Sequence, residues 1–323
     1  MPFNFNATIS DTNDVIPALI STAVSAAIAP LEQDITSLEG LVEALELRVA
    51  ELENSETTTP TEPTPTPEPT PSYSPNNSGG SGATKGTYRS LSFTAATANY
   101  GNVASYYHLD TAHVDFTKPA GILIHLHGDG AEEYNSPNNT TVNAYRQVAV
   151  DNNFIFVVPR TPDNSGTPTW WENDSSAEWL IDLFNYVAKV RHNVDLNRVY
   201  WSGYSGGAEV LTYDILSNYT NRWTGGGAQM LGGGGAYAGI PAVNPGATLK
   251  SHFPLKWVVG ALDDGSTSTD GFDAISAANS GKSRYSSAGF TTSLVTIPGE
   301  DHYQSENNGP SELATFVANT LWK

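Results

Sequence analysis

From Arg198 the chain reads Arg-Val-Tyr-Trp-Ser-Gly-Tyr-Ser-Gly-Gly-Ala, and no other stretch limits the fold so tightly. Val199, Tyr200 and Trp201 are β-branched or aromatic, as a buried strand prefers. From Ala208 to Tyr219 the apolar residues Val210, Leu211, Ile215 and Leu216 follow helical spacing. Between strand and helix lies Gly203-x-Ser205-x-Gly207. A serine at the apex of so sharp a turn has a strained backbone and an exposed hydroxyl. Gly203 and Gly207 carry no Cβ, so strand and helix can pass close on either side. Three fixed positions in five residues recur by chance. The strand before and the helix after separate this run from an ordinary Gly-rich turn.

The surrounding sequence supplies a matching sheet. Tyr88–Thr94 and Ala104–Leu109 read as strands. Gly121–Leu126 (GILIHL) and Phe154–Val158 (FIFVV) are continuous apolar runs, as central strands covered on both faces should be. Arg198–Ser202, Ala228–Leu231, Lys256–Leu262 and Thr292–Ile297 complete eight strands. Helices are expected over Val142–Asn152, Ser175–His192, Thr269–Ser287 and Ser311–Trp322. Strand and helix alternate, which predicts an α/β fold: a mostly parallel eight-stranded sheet with helices on both faces. In such sheets reacting groups sit in loops at the carboxyl ends of strands.

Four features fall at those ends. His127-Gly128-Asp129-Gly130 follows GILIHL. Ser205 follows the elbow strand. Asp263 and Asp264 follow Lys256–Leu262, and His302 follows the last strand. The order Ser…Asp…His matches the triad order of strand-elbow hydrolases. A serine hydroxyl needs a base within hydrogen-bond reach, which His302 can supply. An aspartate then holds the imidazole in the right tautomer, and Asp263 and Asp264 both qualify. The amides of Asp129 and Gly206 are the candidate oxyanion hole, with Gly130 allowing the close approach. Trp170 and Trp171, in a loop after FIFVV, and Tyr204, beside the serine, are candidate substrate-binding residues. Core packing is an equal alternative for one of the tryptophans. His125 and His127 form His-x-His but lack a third ligand at suitable local spacing, so no metal is expected. Glu209 is expected to interact with the helix dipole.

The N-terminal part differs. Ile28, Ile35, Val42 and Val49 alternate with Leu31, Leu38, Leu45 and Leu52 in a seven-residue repeat. That is an α-helical coiled coil with β-branched a and leucine d positions, a choice that favours two strands. Leu41 widens the seam, which suits three or more strands and tips the expectation to a trimer. An amphipathic helix packed on its own domain is the alternative. Residues 54–86 are Pro/Thr-rich and then Gly/Ser-rich, a stiff spacer followed by a flexible one. The expected organisation is therefore residues 1–53 as a helical oligomerisation and anchoring region, 54–86 as linker, and 87–323 as catalytic domain. Fifteen basic against 34 acidic residues give a net charge of −19, which argues against nucleic acid and anionic membranes as partners. There is no cysteine, hence no disulfide framework or thiolate site. The start, MPFNFNATISDTNDV, lacks a basic stretch followed by an apolar core, so no secretory signal is expected.

The run Val194-Asp195-Leu196-Asn197-Arg198-Val199-Tyr200, with Gly203-Tyr204-Ser205-Gly206-Gly207 after it, resembles the polyhydroxybutyrate depolymerase and feruloyl/acetyl-xylan esterase group of α/β-hydrolases. The resemblance spans roughly residues 95–323. It implies carboxylic-ester hydrolysis on polysaccharides or polyesters, without a cofactor. It also favours Asp263 over Asp264, because Gly-x-x-Asp is the group's usual spacing. The group is secreted, and this sequence departs from it in carrying a stalk and no cysteine. In general design the N-terminal part resembles the anchoring region of phage tail fibres and spikes. The expectation is a serine esterase displayed as a homo-oligomer on a virion tail or extracellular surface, bound to other tail proteins and acting on an ester-bearing envelope polymer. A peptidase or amidase of the same fold, and a glycan-binding adhesin without activity, are the alternatives.

Overall fold

A computed structural model of the chain describes residues 85–192, 194–237, 247–266, 268 and 271–320. The chain divides into two units, Met1–Thr70 and Pro71–Lys323. The expected coiled coil and nearly all of the linker lie outside the described residues.

Eight strands form one sheet: β1 (Thr87–Thr97), β2 (Gly101–Asp110), β3 (Gly121–Leu126), β4 (Phe154–Pro159), β5 (Val199–Tyr204), β6 (Gly226–Leu231), β7 (Leu255–Gly260) and β8 (Thr292–Ile297). Their spatial order is β1-β2-β4-β3-β5-β6-β7-β8. β1 pairs antiparallel with β2, and β2 with β4. All remaining neighbours are parallel. β3 to β7 have every residue buried, which explains why β3 and β4 read as continuous apolar runs.

Among the described residues the α-helices of four residues or more are α1 (Glu132–Asn135), α2 (Thr140–Asp151), α3 (Ser175–Asn185), α4 (Gly206–Val210), α5 (Ala247–His252), α6 (Ala274–Ser287), α7 (His302–Ser305) and α8 (Gly309–Thr320). Strand side chains alternate between two cores, as the two-residue period requires. Ile122, Ile124, Val199, Trp201, Ala228, Met230, Leu255 and Trp257 pack toward α3, α4 and α6. Leu123, Phe154, Phe156, Val158 and Tyr200 pack against Tyr145 of α2 and Leu313, Phe316 and Val317 of α8. Phe184, Trp201, Trp223 and Phe253 form a chain of rings with centroids 5.6–5.7 Å apart beneath β5.

The face toward α2 and α8 also carries a polar row. His125, Ser202, Gln229 and Lys256 are register partners across β3, β5, β6 and β7. Gln229 donates to the Gly309 carbonyl at 2.9 Å, and Lys256 pairs with Glu312 at 2.5 Å. The row thereby docks α8 by polar contacts as well as apolar ones.

Element bounds depart from expectation where the backbone changes winding. The helix expected over Ser175–His192 is α-helical only to Asn185 and continues as a π-helix over Tyr186–Arg191. The elbow helix likewise passes into a π-segment at Leu211–Ile215. The helix expected from Thr269 starts at Ala274, after an N-cap in which Asp273 accepts the Ser276 amide at 2.8 Å.

The elbow glycines are explained by backbone proximity. A Cβ on Gly203 would collide with the carbonyl of Gly207, and one on Gly207 with the carbonyls of Leu126 and His127. Gly207→Ala should therefore cost about 1–3 kcal/mol of stability through overpacking. The check is a lower denaturant midpoint at unchanged slope.

Candidate active site

Ser205 ends the turn between β5 and α4 with φ 49° and ψ −117°. A non-glycine residue at such a φ is strained, and the strain persists because both flanks are fixed. The Ser205 amide donates to Leu231 of the neighbouring strand at 2.9 Å, and its carbonyl accepts from Ala208 and Glu209. The hydroxyl is thus held at the carboxyl edge of the sheet.

His302 opens α7, directly after β8. Asp301 caps that helix in a reciprocal capping box with Gln304. The His302 carbonyl accepts from the Tyr204 hydroxyl at 3.1 Å and the Ser305 hydroxyl at 3.0 Å. Its ring stacks on Tyr204 with centroids 5.3 Å apart, and Phe272 meets it edge-on. Nε2 lies 3.0 Å from Ser205 Oγ, and Nδ1 lies 2.9 and 3.1 Å from the two Asp263 oxygens. The hydrogen-bond network therefore assigns the proton on carbon-flanked Nδ1 to Asp263 and leaves Nε2 to accept from the serine.

Asp263 is fully buried. The loops carrying Asp263 and His302 run together: Leu262 donates to the Glu300 carbonyl at 2.8 Å, and Gly260 lies against the backbone of Glu300 and Asp301. Asp264 points elsewhere. Its carboxylate accepts the amide and hydroxyl of Ser266 at 3.0 and 2.6 Å, and those bonds hold it below the usual carboxylate range. Of the two aspartates it is Asp263, the one the resemblance favours, that lies within hydrogen-bond distance of His302.

The turn after β3 faces Ser205. The Gly128 amide donates to the Glu133 carboxylate at 3.1 Å, that of Gly130 to Pro168 at 2.9 Å, and that of Ala131 to Gly128 at 3.1 Å. Every amide around Asp129 is engaged. His127 braces the turn: it bonds the Gly128 carbonyl through Nδ1 at 2.7 Å and accepts the Thr161 amide at Nε2. Burial pulls the His127 imidazole down to about 4, so it is neutral near pH 7. Gly130, at φ 92°, supplies the turn's positive φ. Gly206 begins α4, so its amide has no intrahelical acceptor. A side chain at 206 would strike Asp129.

This is the strand order and the elbow of the α/β-hydrolase fold. Solved structures share it. One is a thermostable esterase, 17% identical, with TM-score 0.52 over 71% of this chain; the chain spans 62% of that protein. Another is a mutant feruloyl esterase module from Clostridium thermocellum in complex with sinapinate, 14% identical, with TM-score 0.51 over 73% of this chain and 89% of that one. At such identities the likeness carries the fold alone. No protein-family profile matches the chain, and no curated protein matches it by sequence.

Above Ser205 lies a pocket of about 90 Å³, lined by Asp129, Trp171, Gly206, Glu209, Tyr213 and Phe272. Trp171, 44% exposed, lines it. Trp170 does not. It is fully buried and donates from Nε1 to the His127 carbonyl at 3.1 Å, so it braces the β3 turn. Tyr204 is not a pocket residue either; its ring and hydroxyl support His302. His125 stacks on Tyr145 in the core, and among the described residues no group of three potential ligands could hold a metal.

Glu133, and the second role of Glu209, are what sequence reasoning missed. Glu209 lies in the first turn of α4, where the helix-dipole expectation put it, and it is also buried. Its two oxygens accept the amides of Gly234 and Gly235 at 2.9 and 3.0 Å. The loop it holds, Gly232–Gly235, packs against Ser205 and His302. Only a buried acceptor can tie down such amides, and burial of one glutamate in a helix leaves no mark in a sequence.

Burial, then repulsion from Glu306, pushes the Glu133 carboxyl up to about 8. The unfolded carboxyl ionises near 4.5. Its folded-state contribution is thus fully present below about pH 4.5 and is lost as pH rises toward 8. Glu133→Gln should show a smaller loss of stability than the parent between pH 5 and 8. Thermal unfolding across that range checks the difference in slope.

Proposed function

We propose that the chain is a serine carboxylic-ester hydrolase. The observation that carries this is the continuous relay Ser205–His302–Asp263 at the carboxyl edge of the sheet. Ser205 Oγ attacks the ester carbonyl carbon while Nε2 of His302 takes the hydroxyl proton. Asp263 stabilises the resulting imidazolium without accepting its proton. The amides of Asp129 and Gly206 receive the negative charge on the carbonyl oxygen. The tetrahedral intermediate collapses, the C–O bond to the alcohol breaks, and His302 returns the proton to the leaving oxygen. Water then enters by the same route and releases the acid. No cofactor is required by these steps.

Within this reading the substrate is an acylated envelope polysaccharide or similar polymer. Support comes from the motif resemblance to polymer-acting esterases and from the heptads of residues 28–53, which would present several copies at a surface. A phage-tail setting accounts for an oligomeric stalk, a proline-rich tether and a hydrolase in one chain.

Ser205→Ala should abolish hydrolysis of p-nitrophenyl acetate and labelling by a fluorophosphonate, with the circular dichroism spectrum retained. Unchanged turnover would overturn the assignment. Asp263→Asn should lower kcat by roughly 10⁴ through the wrong tautomer, whereas Asp264→Asn should stay within a few-fold of the parent. Turnover of matched ester and amide substrates separates esterase from amidase. The full chain should sediment as an oligomer, a trimer by the wider seam; a monomer rejects the stalk.

A further inference from the structure

The Ser205 pocket adjoins a larger cleft. That cleft, about 470 Å³, is lined by Tyr100, Trp171, Asn173, Asp174, Tyr213, Asp214 and Tyr237. Trp171 and Tyr213 line both spaces, so the cleft and the Ser205 pocket share a wall. Three of the four aromatic walls are unusually open: Tyr100 is 46% exposed, Trp171 44% and Tyr237 52%. Tyr237 is braced edge-on by Tyr213, with ring centroids 4.8 Å apart. Tyr100 sits at the tip of the β1–β2 hairpin. That tip is fastened to the first turn of α3 by two hydrogen bonds from Asn99 to Glu178. The hairpin tip thus holds Tyr100 beside the other open rings, and together they make a contiguous exposed aromatic surface of the kind that marks a binding site.

The charge of the cleft has one sign. Asp174 stands at the N-cap of α3 without making a side-chain capping bond. Asp214 is half-buried in the π-segment after α4, and burial, then Asp174, push its carboxyl up to about 6. The Tyr100 hydroxyl is raised too, by its desolvation and then by Asp174, Glu178 and Asp214. Among the described residues no cation is a cause of either shift. Among the described residues no set of three acidic or histidine ligands exists for a metal ion. An organic cation meets both requirements of this lining. Its charge answers the carboxylates, and its C–H-rich surface packs on aromatic faces, whose quadrupoles attract it.

We propose that this cleft is a subsite for an ammonium group carried by the ester on the side remote from the scissile bond. The proposal rests on the esterase reading only for how the ligand is connected to Ser205. Binding of the cation stands on the cleft itself. Trp171 and Tyr213 contact the linking atoms, while Tyr100, Tyr237, Asp174 and Asp214 surround the charge. An acylated polymer bearing free amines or trimethylammonium groups is the substrate class that fits.

The test uses acetylcholine and its neutral isostere, 3,3-dimethylbutyl acetate, on the full chain. Isothermal titration of the Ser205→Ala variant should give about tenfold tighter binding of the cationic ester. The preference should weaken with salt. It should disappear in the Asp174→Asn/Asp214→Asn double variant made in the same background. Equal affinity for the two esters, no binding of the cation at millimolar concentration, or a preference that survives the double substitution overturns the subsite. Turnover of both esters by the parent chain is read separately. Absence of turnover with the binding preference intact rejects the esterase reading and leaves the cation subsite standing; turnover without discrimination does the reverse.

Discussion

The backbone at Ser205 is the constraint on which the rest depends. A residue at φ 49° is kept there only if the chain on both sides has nowhere else to go. β5 is sandwiched between β3 and β6 with every residue buried, and α4 starts within hydrogen-bonding distance of the turn. Glycine at 203 and 207 lets three backbone segments meet where side chains would hold them apart. The aromatic rings beneath β5 and the polar row above it fix the strand in the third dimension. Core packing and the exposure of one hydroxyl are parts of the same arrangement.

The supports around the site follow a single physical pattern. Each group that would face substrate is set by a neighbour whose own polar atoms are already satisfied. Glu133, His127 and Trp170 engage the turn around Asp129. Glu209 holds the glycine loop beside His302 and Ser205. Tyr204 and Ser305 anchor the His302 backbone. Buried carboxyl groups are costly unless hydrogen-bonded, and here Glu133 and Glu209 both have backbone amides as partners. Such groups resist reorientation when charge develops nearby, which is what electrostatic preorganisation demands.

Much of this was legible before any coordinates. GILIHL and FIFVV announce central strands because burial on both faces leaves no polar position, and the serine turn announces itself by its glycines. The chemistry of the loop after β7 allowed two aspartates; the resemblance favoured Asp263, and the close run of the 260–263 and 300–302 loops shows why that carboxylate reaches the imidazole. Trp170 and Trp171 are adjacent and chemically identical, yet one points into the β3 turn and the other into the pocket. A loop has no fixed side-chain period from which that could be read. The π-segments escaped for a related reason: one extra residue per turn leaves the apolar spacing nearly helical while shifting where Tyr213 and Asp214 point.

β8 lies at the edge of the sheet, paired only with β7 and half-exposed along its length. His302 follows it within five residues, whereas Ser205 follows a strand in the centre. The two halves of the relay therefore belong to regions of different local stability, since edge strands open by smaller fluctuations than central ones. Fraying of β8 would withdraw the imidazole from the serine while the sheet stayed folded. Heat or denaturant would then silence the chemistry through a local opening before the cooperative collapse of the domain, and cooling would restore it without refolding.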